Sequence, residues 1–265
     1  MTLKFYQTNF LFGYVSSCAA MSAQTPDHAK YTSMGMTGMQ LWPYYVQQRI
    51  KQTFTAFGGG LAMTAGTAAV VFRTGVMEGL LMRHPVGSMI GLGVGSIAAL
   101  ISTMATEKGS PAKYISYGAF TALAGMSLVP ACYLGGPIIL QAAGYTAGIV
   151  GSLSFVAANS PSDKFLWMAG PLSIGLGAVV VSSLGAAFFP TARLAPMLHN
   201  ISLYGGLGLF SLFVLYDTSK VVTNAEQMPD QQFDPVNECL GIYLDTINIF
   251  IRIVSILSSN NNKKK

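Results

Sequence analysis

Uncharged stretches long enough to cross a membrane follow one another along most of this chain. A helix needs about 20 predominantly apolar residues to cross the hydrocarbon of a bilayer. Windows of that kind predict seven spanning helices, at residues 53–72, 86–106, 114–133, 138–158, 165–188, 199–222 and 237–257. The third and fourth windows come from one uncharged stretch, which we divide at Pro130 and Pro137.

The fold class that follows is an all-α membrane protein, built as one bundle of seven transmembrane helices. Within lipid, only helices and closed barrels satisfy the backbone, and the alternation of apolar and polar residues that is typical of barrel strands is absent. We therefore assign residues 51–258 to a seven-helix transmembrane domain, 1–50 to an N-terminal segment and 259–265 to a basic C-terminal tail.

Small residues and single polar residues inside the windows indicate how the helices pack. Gly91-xxx-Gly95 and Gly144-xxx-Gly148 are small-xxx-small patterns, which let helix backbones approach each other closely. Isolated polar residues such as Thr64 are expected to form hydrogen bonds between helices.

The N-terminal segment carries conflicting signals. Lys4 and the apolar stretch after it resemble a secretory signal, but polar residues at 7–9 interrupt that stretch. The segment has a single acidic residue, Asp27, and several Ser and Thr, as organellar presequences do, yet it is poor in arginine. We interpret residues 1–50 as partly disordered or targeting, with disorder expected over 19–40.

Charge is scarce, and part of it lies at the C-terminus. Only 9% of the residues are charged, whereas a soluble domain carries about 25%. The net charge is +5, to which the tail Lys263–Lys265 contributes. Such a tail suits lipid headgroups, and no basic patch interleaved with aromatic residues indicates nucleic acid binding. Lys and Arg are divided evenly between the two predicted sides, so the positive-inside rule leaves the orientation open.

The chain lacks the sequence patterns of an enzyme or of a resident metal site. Its three cysteines and three histidines are isolated, with no ligand spacing among them. Glycine strings at 91–95 and 175–177 lie inside predicted spans, which excludes a phosphate-binding loop. No nucleophile turn of the Gly-x-Ser-x-Gly type occurs, which disfavours an intramembrane hydrolase. We therefore expect neither enzymatic activity nor a cofactor.

Two aspartates stand inside the last two windows. Asp217 lies in 199–222 and Asp245 in 237–257. A carboxylate at a helix centre costs roughly 2.5–3.5 kcal/mol on the insertion scale, so an intramembrane acid indicates function. Taking the loop as 223–235 places Asp217 roughly 8 Å and Asp245 roughly 13 Å inside their helix ends, at about 1.5 Å per residue. Because the two helices run antiparallel from one face, the carboxyls can meet directly or through water.

A polar stripe on the last helix accompanies the pair. Gly241, Asp245, Asn248 and Arg252 fall at i, i+4, i+7 and i+11, on one helix face. Asn248 is placed to hydrogen-bond Asp245. Arg252 either reaches Asp217 or extends its charged end to the membrane surface.

The aspartate pair has the chemistry of a proton-linked cation site. Two carboxylates in one dry site cannot both ionise at low cost, so we expect the pair to titrate as a unit. Protonated, the pair shares a hydrogen bond and closes a path; deprotonated, it repels itself and offers oxygens to a cation. With backbone carbonyls and water, two carboxylates would make a weak, exchangeable calcium site. The plainer alternative for Asp217 is an interfacial acid paired with Lys220 at i+3.

Several segments together resemble one family of membrane proteins. They lie at 145–154, 161–166, 181–185, 215–221 and 233–252, the last containing Ile-Tyr-Leu-Asp-Thr-Ile-Asn-Ile-Phe-Ile-Arg. On these residues the chain resembles the Bax-inhibitor (TMBIM) family from Trp42 onwards, and within that family it resembles the mitochondrial branch. The resemblance implies a seven-helix fold of Bax-inhibitor type, with the last helix near the centre of the bundle.

The resemblance also implies a function. It implies a two-aspartate, pH-sensing calcium path that maps onto Asp217 and Asp245, with calcium as the transported or regulatory ion. For the mitochondrial branch it implies a multi-pass inner-membrane protein that exchanges calcium for protons, with roles in cristae organisation and apoptosis. Bacterial members carry an arginine in the second helix that latches the aspartates, whereas 86–106 has no charge and only Glu107 and Lys108 follow it.

Two hypotheses of different classes result. In the first, the protein is a calcium/proton exchanger or a pH-gated calcium leak of the mitochondrial inner membrane, with Asp217 and Asp245 carrying ion and proton and Asn248 and Arg252 supporting them. In the second, it is a non-transporting inner-membrane scaffold that shapes cristae and binds partner membrane proteins. Glycine-rich faces and the basic tail would then matter most.

Overall fold

The structure is a computed structural model that describes residues 42–75, 79, 85–161, 164–188 and 194–262. The disorder expected over 19–40, most of the N-terminal segment and the last three lysines of the tail lie outside the described residues.

The described residues form seven long helices, which confirms the predicted all-α, seven-helix fold. The helices are α1 (Tyr44–Thr74), α2 (Pro85–Ala105), α3 (Pro111–Cys132), α4 (Gly136–Ala158), α5 (Ala169–Phe188), α6 (Gly206–Gln227) and α7 (Pro235–Asn262). Six candidate spans among them are long and apolar enough to cross a membrane, while the apolar part of α2, Ile90–Ala105, is shorter. Because α1 begins at Tyr44 and α7 ends at Asn262, helical structure extends beyond 51–258 at both ends.

Local sequence explains several helix ends. The Ser110 side chain accepts a hydrogen bond from the Ala112 amide and Pro111 begins α3, as is common at a helix start. Gly75 ends α1 with a φ of 67°, a left-handed conformation that glycine adopts without strain. Gly135 precedes α4 with a φ of 108°, which lets the chain reverse between α3 and α4.

Helix α6 is preceded by an irregular start. A short helix, Ala195–Asn200, leads into a π-helical turn, Ile201–Gly205, and the turn continues directly into α6. A π turn interrupts the regular i to i−4 hydrogen-bond pattern and leaves carbonyl groups open to other partners.

Helix α7 occupies the centre of the bundle, as the resemblance implied. It packs against α1, α4 and α6 and touches α3. In its most apolar window 78% of the residues are buried inside the protein, against 17% to 39% for the other candidate spans. Polar side chains on α7 therefore face protein rather than lipid, which is the condition under which membrane helices carry them.

The close helix contacts involve glycines other than those predicted. A Cβ at Gly60 would collide with the Tyr117 side chain, and one at Gly125 would collide with the backbone of Thr64, so α1 and α3 approach closely at these positions. By contrast, a Cβ at Gly91, Gly144 or Gly148 would meet nothing within 4 Å. The predicted packing role is therefore wrong for Gly91, Gly144 and Gly148, which are exposed, whereas a Cβ at Gly95 would contact Leu123 of α3 at 3.6 Å. Thr64 does link helices, since its hydroxyl donates to the Thr121 carbonyl at 3.0 Å.

Candidate functional site

The carboxyls of Asp217 and Asp245 meet in the interior of the bundle. The carboxyl of Asp217 on α6 comes within hydrogen-bonding reach of Asp245 on α7. Asp217 is 8% exposed and Asp245 is fully buried. The structure therefore brings together the two acids that the sequence singled out, away from lipid.

The two acids lie at matched depth, deeper than the sequence suggested. Helix α6 does not end at residue 222 but continues to Gln227, ten positions after Asp217. Asp245 likewise follows the first residue of α7, Pro235, by ten positions. At about 1.5 Å per residue both carboxylates lie about 15 Å from the loop, near the middle of a hydrocarbon layer about 30 Å thick. The predicted depth of 8 Å for Asp217 was too small, because the polar residues 223–227 were assigned to the loop.

Gly241 makes room for the pair. It lies one turn before Asp245 on α7, and a Cβ at this position would collide with the Asp217 carboxylate. Any larger residue here would force Asp217 away from α7, so the close approach of the two helices depends on glycine.

Lys220 is not an ion-pair partner of Asp217. In the described part of the chain the ion pairs are Arg49–Asp230 and Lys113–Asp234. Lys220 still acts on Asp217 through its charge. The alternative of a simple interfacial ion pair is therefore not what the structure contains.

Asn248 and Arg252 form a cluster of their own, one to two turns beyond the aspartates on α7. The Asn248 amide donates to the Leu244 carbonyl at 2.9 Å, and its side-chain oxygen accepts from Arg252 Nη1 at 3.1 Å. The hydrogen bonds of the Asn248 side chain thus run to Leu244 and Arg252, and the expected one to Asp245 stays a prediction.

Arg252 does neither of the two things that the sequence suggested. Its side chain is fully buried, so it does not extend to the surface, and among the described residues it forms no ion pair. Its Nε donates to the Ser202 carbonyl at 3.2 Å, within the π turn before α6. The guanidinium also lies over the Phe210 ring, 4.5 Å from the ring centroid. Gly206 leaves the space for it, since a Cβ there would collide with the guanidinium.

Sequence reasoning missed a partly buried acid, Glu238, on the same helix face as Asp245. The Asn224 side-chain nitrogen donates to both oxygens of Glu238, at 3.0 and 2.9 Å. Glu238 lies within electrostatic reach of Asp217 and Lys220. It precedes Asp245 by seven positions and so shares its helix face. That spacing was the available signal, but the helix start at Pro235 was needed to see it.

Two buried cations fix the loop between α6 and α7. Lys113 of α3 forms an ion pair with Asp234, and its ammonium also donates to the Thr106 carbonyl at 3.0 Å. Arg49 of α1 donates to the carbonyls of Ala225 and Met228, at 2.8 Å each. The first and third helices thus hold the ends of α6 and α7 in place.

The described residues offer only a partial coordination shell for a metal ion. No three His, Cys, Asp or Glu side chains among them converge in an arrangement able to hold a metal. Calcium takes about six to eight oxygens, so Asp217 and Asp245 would supply a minority of them. Such a shell suits brief binding of a passing ion better than permanent storage.

Comparison with known proteins decides the family. Residues 46–262 match the family model described as "Inhibitor of apoptosis-promoting Bax1". The chain belongs to the Bax-inhibitor family. The match runs from the start of α1 to the end of α7, so it covers the whole bundle and both aspartates.

The Bax-inhibitor relatives include animal and bacterial proteins. The chain is 41% identical over 236 residues to growth hormone-inducible transmembrane protein of Rattus norvegicus, covering 85% of this chain and 67% of that relative. It is 29% identical to Bax inhibitor 1 of Homo sapiens, covering 83% and 89%. It is 28% identical to an uncharacterised protein of Campylobacter jejuni, covering 81% and 89%. These similarities and the apolar helices establish a multi-pass membrane protein.

Proposed function

We propose that this Bax-inhibitor protein moves calcium across the mitochondrial inner membrane in a proton-dependent way, as a calcium/proton exchanger or a pH-gated calcium leak. The observation that carries the proposal is the close pair of buried acids, Asp217 on α6 and Asp245 on the central helix α7, near mid-depth. Intramembrane acids that face the bundle interior typically mark ion or proton pathways.

The aspartate pair binds both protons and calcium, which coupled transport of the two ions requires. With a proton between them, the two carboxyls hold α6 and α7 together through their hydrogen bond. When the pair loses its protons, two negative charges at hydrogen-bonding distance repel each other and attract a divalent cation. A calcium ion that binds there replaces the lost protons in charge, and its departure lets protons return. Calcium and protons therefore compete for the same oxygens.

The location and the wider role are part of the same proposal. The resemblance to the mitochondrial branch is what supports the inner membrane. The description of the family model refers to apoptosis-promoting Bax1, which supports a link to apoptosis. A role in cristae organisation rests on the resemblance alone.

The test is calcium flux in liposomes that contain the purified protein. A calcium dye inside the vesicles reports entry, and a pH dye reports the counter-flow of protons. We expect pH-dependent calcium entry in the wild type and its loss in Asp245→Asn. Glu107→Gln, which removes an exposed acid outside the bundle core, is the matched control and should behave as wild type. Wild-type vesicles that take up no calcium at any pH would refute the proposal.

A second candidate function is the non-transporting scaffold. The observation that favours it is the outward position of Gly144 and Gly148 on α4, where none of the described residues fills the space above them. Small-xxx-small faces of this kind let another membrane helix approach closely. The scaffold predicts that the Asp217→Asn, Asp245→Asn double variant restores membrane morphology in deficient cells. A failed rescue at normal protein level would argue against it.

A further inference from the structure

A regular ladder of side-chain pairs joins α6 and α7. The neighbouring carboxyls of Asp217 and Asp245 are one pair. The second pair is Glu238, seven residues before Asp245, and Asn224, seven residues after Asp217, which form hydrogen bonds. The third pair is Arg252, seven residues after Asp245, whose guanidinium lies over the ring of Phe210, seven residues before Asp217. Since seven residues are about two helical turns, the three pairs follow one another at about 10 Å along an antiparallel seam.

The ladder differs in charge and exposure between its two ends. Toward the α6–α7 loop lies Glu238, an acid whose side chain is partly exposed. Beyond the aspartates lies Arg252, which is fully buried. From Asp245 to Val254 every residue of α7 except Phe250 is buried. Exposure along the seam therefore falls from the loop end inward and does not rise again within this stretch.

In the described part of the chain, no acid forms an ion pair with Arg252. Its hydrogen-bond acceptors are the Ser202 and Asn248 carbonyls and the Asn248 side-chain oxygen. Its Nη2 atom is buried and has no hydrogen-bond partner among the described residues. A buried arginine without a carboxylate partner is costly in a membrane protein. Packing alone does not require it, because an apolar side chain would fill the same space at lower cost.

We propose that in this conformation the calcium path is open from one side only, with Glu238 as the entry acid on the loop side and Arg252 as a positively charged barrier that slows passage on the other. This inference rests on the proposed function, since it names the route to the same aspartates. A cation that enters from the loop meets an acid and then the aspartate pair. To leave on the far side it must pass a guanidinium about 10 Å further along, which opposes a divalent cation strongly in a medium of low dielectric constant.

The groups around Glu238 agree with an entry role. Lys220 and Asp217 face it from α6, and Asp234 faces it from the loop. The Lys113 ammonium pairs with Asp234, so that cation is already compensated. The entrance thus combines two acids, Glu238 and Asp217, with one uncompensated cation, Lys220, and it attracts cations overall.

The experiment compares calcium entry into liposomes for Arg252→Gln, Arg252→Lys and the wild type at one pH. If the charge of Arg252 is the barrier, Arg252→Gln raises the rate of calcium entry at least about tenfold, and Arg252→Lys, which keeps the charge, raises it several-fold less. Equal rates for Arg252→Gln and the wild type would overturn the proposal. So would an equal rise in both variants, which would assign the closure to packing. Arg73→Gln, which removes an exposed arginine from the same side of the bundle, is the matched control.

Further variants keep the test decisive if Arg252→Gln does not fold. Gly206→Ala keeps the charge but pushes the guanidinium from its place, and the proposal predicts faster calcium entry for it as well; an unchanged rate would contradict the proposal. On the entry side, Glu238→Gln should slow calcium entry about tenfold. Calcium entry that is lost in Asp245→Asn but unchanged in the Arg252, Gly206 and Glu238 variants would overturn the one-sided path while leaving the proposed function in place. No entry in the wild type would instead refute the proposed function.

Discussion

The Asp217 carboxylate packs directly on Gly241 of the neighbouring helix, one turn before Asp245. This contact sets the separation of α6 and α7 at the aspartate pair. We expect Gly241→Ala to move Asp217 from α7, to destabilise the protein by about 1–3 kcal/mol, as overpacking does, and to slow calcium entry. Thermal unfolding in detergent, followed by the reaction of buried Cys239 with a thiol-reactive dye, measures the stability.

A matched control for Gly241 is Gly208 of α6. A Cβ at this position meets nothing within 4 Å, so Gly208→Ala should be neutral or stabilise slightly by its helix propensity. Equal stability of the two variants would contradict the packing argument.

We expect the contributions of Asn224 and Glu238 to the free energy of unfolding to be coupled. Asn224→Ala leaves a mostly buried carboxylate without its two hydrogen bonds, and we expect a loss of about 1–3 kcal/mol. Glu238→Ala should cost less, because the remaining amide is neutral. In the double variant most of the loss from Asn224→Ala should disappear. A double-mutant cycle of unfolding temperatures tests the pair, and strictly additive effects would show that the two side chains act independently.

The ion pair of Lys113 and Asp234 predicts a large cost for losing one partner. Lys113 is almost fully buried, and Lys113→Met would leave the Asp234 carboxylate partly buried without its cation. Breaking a buried pair in this way typically costs about 3–5 kcal/mol. Lys113→Met combined with Asp234→Asn should recover part of that loss. A single variant as stable as the wild type would mean that water replaces the lysine.

The two kinds of contact that Arg49 makes should differ in how much they stabilise the protein. Its guanidinium holds two carbonyls at the end of α6, whereas its ion-pair partner Asp230 has a side chain that is 88% exposed. Arg49→Lys cannot bridge both carbonyls with the same geometry, and we expect it to destabilise the protein by about 1–3 kcal/mol. Asp230→Asn should cost at most about 1 kcal/mol, as exposed ion pairs do. The unfolding temperatures of the two variants test this expectation. A larger loss of stability in Asp230→Asn than in Arg49→Lys would contradict it.

The seven helices and the two functional acids could be predicted from the sequence because each depends on local composition. The hydrocarbon layer requires about 20 apolar residues for each span, so long apolar windows with little or no charge locate the helices. A carboxylate inside such a window is conspicuous, because little else in the window is charged. The places where prediction failed are helix ends that carry polar residues: α6 extends to Gln227 because residues 223–227 are buried against protein or lie near the membrane surface.

Only the tertiary structure decided which surfaces meet. Asp217 and Asp245 lie next to each other because α6 and α7 pair in a register that no single helix encodes. The same register lets Asn224 donate a hydrogen bond to Glu238, and it places Arg252 over Phe210 rather than against an acid. The glycines show the same dependence on tertiary structure. Gly60 lies at a helix contact while Gly144 faces outward, although both stand in similar apolar sequence. The sequence determines how many apolar segments must cross the membrane, since that follows from transfer free energy along the chain. Contacts between segments depend on packing over the whole bundle, and the chemistry of the acids is set there.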